Sequence, residues 1–142
     1  MMIRLIYVST AAGPVTTAVT GTILRSAQAH NSAHGITGAL CQGHGVYLQV
    51  LEGGGIEVDA LYARILLDKR HQNIVLRKRE DIARRRYGNW AMAHVDLTHL
   101  LRTADVASPK VAFDPYTASG DELMTALDTL MTSGVVMTAP VV

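Results

Sequence analysis

The stretch HGVYLQVLEGG, His44 to Gly54, decides how this chain folds. Val46, Leu48 and Val50 alternate with Tyr47, Gln49 and Leu51, the period-two pattern of an extended segment with an apolar residue at nearly every position. It reads as a buried strand with one misfit, Gln49. An amide carries two donor hydrogens and an acceptor oxygen, and burying it without partners costs about 1–3 kcal/mol. Gln49 therefore needs partners that the rest of the chain must supply.

Working outward, Gly43-His44-Gly45 predicts a hairpin turn, with the glycines supplying positive φ, and GITGALCQ (Gly35 to Gln42) is the preceding strand. Upstream, IRLIYVST (Ile3 to Thr10) reads as a first strand broken by Gly13 and Pro14. A helix follows from about Val15 to Ala33, with Val15, Val19, Ile23 and Ser26/Ala27 at helical spacing and Gly35 as its left-handed stop. Downstream, Ile56 to Asp68 predicts a second helix whose apolar side holds Ile56, Ala60, Leu61, Ala63, Ile65 and Leu66. NIVLRKREDI and RRYGNWAMAHVDL supply two more extended segments.

The sum is an α+β chain, a ferredoxin-like βαββαβ(β) sheet with two helices on one face. In that wrap strands one and three are central neighbours, and Tyr7 and Gln49 lie side by side if both face the helices. After Leu97 the composition shifts. TADVASPKVAFDPYTASG reads as loop, and SGDELMTALDTLM as an amphipathic helix with Ser119 and Glu122 at capping-box spacing. Its stripe of Leu123, Met124, Leu127, Leu130 and Met131 needs an apolar surface, and the sheet face opposite the first two helices offers one. We expect a core over residues 1–97 and a carboxy-terminal helical extension and tail over 98–142, its helices on the other face.

A chain of 142 residues, 49% hydrophobic, suits one domain, and a formal charge of +1 gives no general argument for nucleic acid or an anionic membrane. The apolar run at the amino terminus is too short for a secretory core, so a cytoplasmic protein is expected. A single cysteine, Cys41, excludes an internal disulfide framework.

LIYVS at the start, HNSAHGITGALCQGHGVYLQVLEGG in the middle, RILLDKRH after the second helix and WAM on the last strand occur in order and together resemble the BLUF domain, a blue-light sensor using FAD. The resemblance covers roughly residues 2–97. It implies that Tyr7 is the photoactive tyrosine, Gln49 the switching glutamine, and Trp90 with Met92 the pair near the glutamine. Asn31 is implied as a flavin-binding amide, and His30, Arg64, Asp68, Arg70 and His71 as further flavin contacts. Glutamine suits a bridge, because its two ends have opposite hydrogen-bond polarity and a turn of the amide rewires its bonds without moving the backbone. Asp68, Arg70 and His71 also have a plainer reading as a solvated helix end favoured by the helix dipole. Ala91 stands where relatives commonly carry serine.

Other chemistry fits less well. His30 and His34 are spaced as helical zinc ligands, but HNSAH lacks the glutamate of a metalloprotease, and no metal is expected. RKREDIARRR is interrupted by Glu80, Asp81, Ile82 and Ala83 and has no aromatic platform, so no nucleic-acid binding is expected. EGGG lacks the lysine of a P-loop. The expectation is a non-enzymatic photoreceptor that passes its signal through the carboxy-terminal helices to an unidentified downstream protein and forms a homo-oligomer. The alternatives are a small ferredoxin-like enzyme, such as an acylphosphatase-type hydrolase, and a light-insensitive flavin scaffold. The STAAGP turn offers no arginine for the former.

Overall fold

The hairpin expected around His44 joins β2 (Thr37–Gly43) to β3 (Val46–Gly54). Its two positive φ values fall on His44 (50°) and Gly45 (75°), so Gly43 is freed to end β2 opposite Val46. Histidine thus occupies one left-handed position that the sequence reading assigned to glycine. The computed structural model describes residues 1–89, 92–96 and 114–132.

β1 (Met2–Ala11) runs antiparallel to β3, and β4 (His71–Ile82) covers its other edge. β5 (Ala93–Asp96) lies parallel to β2, giving a five-stranded sheet in the order β4-β1-β3-β2-β5. β1 and β3 are the central neighbours, as the ferredoxin-like wrap requires. The register places Tyr7 directly opposite Gln49.

Alternation along the strands makes two cores. Ile3, Leu5, Tyr7, Leu40, Tyr47 and Leu51 face α1 (Thr17–His34) and α2 (Gly55–Ile65). Ile6, Val8, Cys41, Leu48 and Val50 face α3 (Gly120–Thr132), whose Leu123, Leu127 and Leu130 are buried against them. The capping box forms: Glu122 N–H donates to Ser119 Oγ at 3.1 Å, and Ser119 N–H to Glu122 Oε1 at 3.0 Å. The carboxy-terminal helix therefore covers the second sheet face, as its stripe predicted.

α1 starts at Thr16, whose hydroxyl accepts the Val19 N–H at 3.1 Å, and stops at Gly35 with φ 67°. α2 differs from expectation in its face. Its buried side is Val58, with Leu61, Tyr62 and Ile65 packed beside it, whereas Ile56 and Leu66 are exposed. The helix also ends at Ile65, where a tight last turn pairs Leu67 N–H with Arg64 O and Asp68 N–H with Ile65 O.

The segment RRYGNWAMAHVDL is not one extended piece. Residues 83–89 form bends and turns, and the strand begins only at Ala93. The reason is Glu52, fully buried on β3, whose carboxylate takes the N–H groups of Arg86 (2.9 Å) and Tyr87 (2.7 Å) and pairs with Arg4 at 2.8 Å. Tyr87 in turn donates its hydroxyl to Asp128 of α3 at 3.0 Å. The domain boundary expected at residue 97 and the tail beyond Thr132 lie outside the described residues. Among the described residues no helix is long and apolar enough to cross a membrane.

Candidate functional site

Between α1, α2 and the sheet lies a cavity of about 430 Å3, within the usual range for small-molecule sites. Ile23 and Ala27 of α1, Leu61 and Ile65 of α2 and Leu40 of β2 give it apolar walls. Eight of the ten candidate residues line it: Tyr7, Gln49, Asn31, His30, Arg64, Asp68, Arg70 and His71. Met92 stands directly behind Gln49, and Trp90 lies outside the described residues.

At the floor of the cavity the Tyr7 hydroxyl donates to Gln49 Oε1. The other end of that amide, Nε2, donates to Met92 Sδ at 3.4 Å. Gln49 is thus paired at both ends, which answers the misfit in its strand. Burial pushes the Tyr7 phenol pKa far up, and the negative charge of Asp68 adds to the shift, so the proton stays on the phenol oxygen.

The rim is polar and internally paired. Arg70 Nε donates to both oxygens of Asp68 at 2.9 and 3.0 Å, and Arg70 N–H adds a third bond at 2.9 Å. The hydrogen bond from Arg70 holds the Asp68 carboxyl below its ordinary range against partial burial. Arg64 on α2 donates to His30 Nδ1 on α1 at 2.9 Å, tying the two helices across the opening. A guanidinium only donates, so His30 Nδ1 carries no proton. Burial, His34 and Arg64 all lower the His30 pKa in agreement with that tautomer. The His34 ring stacks on His30 at 4.1 Å, and its Nδ1 donates to the His30 carbonyl, so the two imidazoles are not arranged as a chelating pair.

His71 is not part of a solvated helix end. A carbonyl only accepts, so His71 Nε2 donates to Ile65 O, the last residue of α2, at 2.8 Å, while Nδ1 meets the Ser9 hydroxyl at 2.8 Å. The ring therefore fastens α2 to β1 beside Tyr7, with 6.0 Å between the ring centroids. Asn31 is fully buried and reaches the same cavity.

Sequence reasoning missed Gln28, whose Nε2 donates to the Met92 carbonyl at 3.1 Å, and Tyr47, whose buried ring lines the cavity. Tyr47 had a signal, since it stands two residues before Gln49 on the same strand face. A helix-surface glutamine has none.

Residues 2–93 match the family model for sensors of blue light using FAD. The chain belongs to the BLUF family. The photoactivated adenylate cyclase subunit alpha of Euglena gracilis is 39% identical over 88 residues, which is 62% of this chain and 9% of that protein. An alpha-like protein of the same organism is 42% identical over 74 residues, 52% of this chain and 7% of the relative. The chain thus spans less than a tenth of the length of these two curated relatives. Two solved structures match nearly end to end. The photo-activated state of BlsA aligns with a TM-score of 0.86 at 25% identity, over 97% of this chain and 100% of that one. The dark state of the BLUF protein BlrB aligns with a TM-score of 0.74 at 26% identity, over 93% and 96%.

As a BLUF domain the chain is a blue-light sensor module and its cofactor is a flavin. The cavity fits such a group: apolar side chains of two facing helices suit an aromatic ring system, and the fully buried amide of Asn31 with the Gln49 amide provides polar groups for its edge.

Proposed function

We propose that this BLUF domain binds FAD between α1 and α2 and reports illumination by rewiring the hydrogen bonds of Gln49. The observation that carries the reading is the chain Tyr7 O–H to Gln49 Oε1 and Gln49 Nε2 to Met92 Sδ, set in the cavity floor. When bound, the flavin supplies absorption of blue light and, once excited, a strong one-electron oxidant.

The protein's own residues supply the rest. Tyr7 is the electron donor and holds its proton on an oxygen aimed at the Gln49 amide. Gln49 is poised between unequal partners, because a thioether is a weak acceptor and a phenol a good donor. Turning the amide breaks both bonds, the one from the phenol to Oε1 and the weak one at sulfur, and afterwards Nε2 donates to the phenol oxygen, which changes from donor to acceptor. Met92 stands at the output side of that amide, and the family resemblance assigns Trp90 the role of its companion. Asn31 binds the ring edge, Asp68 with Arg70 and His30 with Arg64 hold the polar rim, and His71 orients the end of α2.

Residues 1–97 are the sensing core in this reading, and 98–142 the extension that carries the signal. The domain is non-catalytic and works in the cytoplasm. α3 passes the change to a downstream protein or to a second copy of the chain. The geometry of the cavity floor favours this over a hydrolase, since a buried phenol and amide are bridged there and the Arg70 guanidinium at the rim is already paired with Asp68.

The test is the absorption spectrum of the purified chain, reconstituted with FAD if needed, before and after blue light. A flavin spectrum with a small reversible red shift is expected, and FAD should be the species released on denaturation. A folded protein that takes up no flavin, or takes it up with no reversible shift, overturns the reading.

A further inference from the structure

Met92 is held from two sides. Its sulfur accepts from Gln49, and its carbonyl accepts from Gln28 Nε2 of α1 at 3.1 Å. We propose that Gln28 is a positioning residue for the light reaction: it fixes the Met92 backbone so that the sulfur stands opposite the amide of Gln49. The proposal rests on the reading of this site as a flavin switch.

The need for such a residue follows from the fold. β5 spans only Ala93–Asp96 and pairs with β2 along one edge, beginning at Ala93 opposite Ala39. Met92 lies one residue before the first pair of that ladder, at the frayed start of a short edge strand. Its side chain cannot hold the position either, because a thioether is flexible and a weak acceptor. The Gln28 amide ties the start of the strand to α1 at the Met92 carbonyl. It also sets the strand against a particular neighbour, for Ala27, His30 and Asn31 on the same helix line the cavity. The helix that walls the flavin site is thereby in register with the residue that reads the amide.

The test uses the full chain with bound flavin and Gln28→Glu, which keeps the length and the helix propensity but turns a donor into a charged acceptor facing a carbonyl. The dark-recovery rate after a blue flash is one readout. The other is the resonance of the Met92 methyl group in protein carrying isotope-labelled methionine, assigned with Met92→Leu and recorded in the dark. Q28E should move the Met92 resonance and change recovery by about two- to tenfold, the size expected for one hydrogen bond. The flavin should stay bound and the red shift keep its size, because Tyr7 and Gln49 are untouched. Gln28→Lys, which restores an N–H donor, should bring both readouts back toward wild type. A Met92 resonance unmoved in Q28E overturns the proposal, whatever the recovery rate. A wild-type chain with no light-induced shift counts against the flavin-switch reading instead, and the dark resonance still decides the role of Gln28.

Discussion

The carboxylate of Glu52 accepts the backbone N–H of Tyr87 at 2.7 Å across 35 residues of sequence, and the same carboxylate pairs with the buried Arg4. One fully buried acid therefore joins β1, β3 and the approach to β5. Glu52→Ala leaves the buried Arg4 with Glu80 alone, at 3.1 Å, and removes the acceptor from two backbone N–H groups. The expected loss is about 3–5 kcal/mol of unfolding free energy by urea titration. A loss below about 1 kcal/mol, the scale of an exposed pair, would show that the cluster is not stabilising.

Gln49→Leu tests the switch itself. The strand stays apolar and the chain folds, because leucine belongs at this position and the half-paired cost falls only on the Tyr7 hydroxyl. Flavin remains bound through Asn31 and the helix walls, and the reversible red shift disappears. Tyr7→Phe keeps the amide and removes the donor, so any residual photochemistry draws on another side chain. A Q49L protein cycling between the wild-type spectra would reduce the amide to ordinary packing.

Truncation separates the two cores. Deleting residues 119–142 bares Ile6, Val8, Leu48 and Val50 on the α3 side while leaving the Tyr7–Gln49 pair on the other. The red shift should survive and the truncated chain should form larger species than the intact chain does at the same concentration, read by sedimentation. The milder Leu127→Ala, at a fully buried site, should cost about 2–5 kcal/mol without changing the dark spectrum. A truncated chain that sediments no larger than the intact one would show that α3 is not what shields this face.

His30 should titrate below its ordinary value of 6.5, followed by its ring-proton shift. The folded state then binds this proton less readily than the unfolded chain, so its contribution to stability is complete above pH 6.5 and is lost as pH falls through the depressed value. The effect is small, because the ring is only partly buried. Arg64→Gln should raise the midpoint part of the way back, since burial and His34 remain. An unchanged midpoint in R64Q would mean that the Arg64 contact is not kept in solution.

The pairing of Tyr7 with Gln49 was legible because strand alternation is local and the ferredoxin-like wrap makes β1 and β3 neighbours. The capping box at Ser119 was legible for the same reason, its partners being three residues apart. What escaped depends on distant partners. Glu52 reads as the polar end of a strand, and only the fold brings it under Arg86 and Tyr87, breaking an apparently extended segment into turn and strand. The buried face of α2 was misjudged because alanines and leucines surround the helix, and the position of β1 selects Val58 over Ile56. His71 reads as a helix-end cation, yet its two ring nitrogens are spent on Ser9 and Ile65.

The sheet is a single polypeptide layer, and its two sides are written in alternate letters of the same strands. Gln49 meets the flavin cavity, while Leu48 and Val50, bonded to it through one peptide unit each, meet α3. No long relay separates the place where light would act from the surface under the carboxy-terminal helix; the separation is the thickness of one pleat. A small change in the twist of β3 is felt on both sides at once, because Val50 under α3 and Gln49 at the cavity share one backbone.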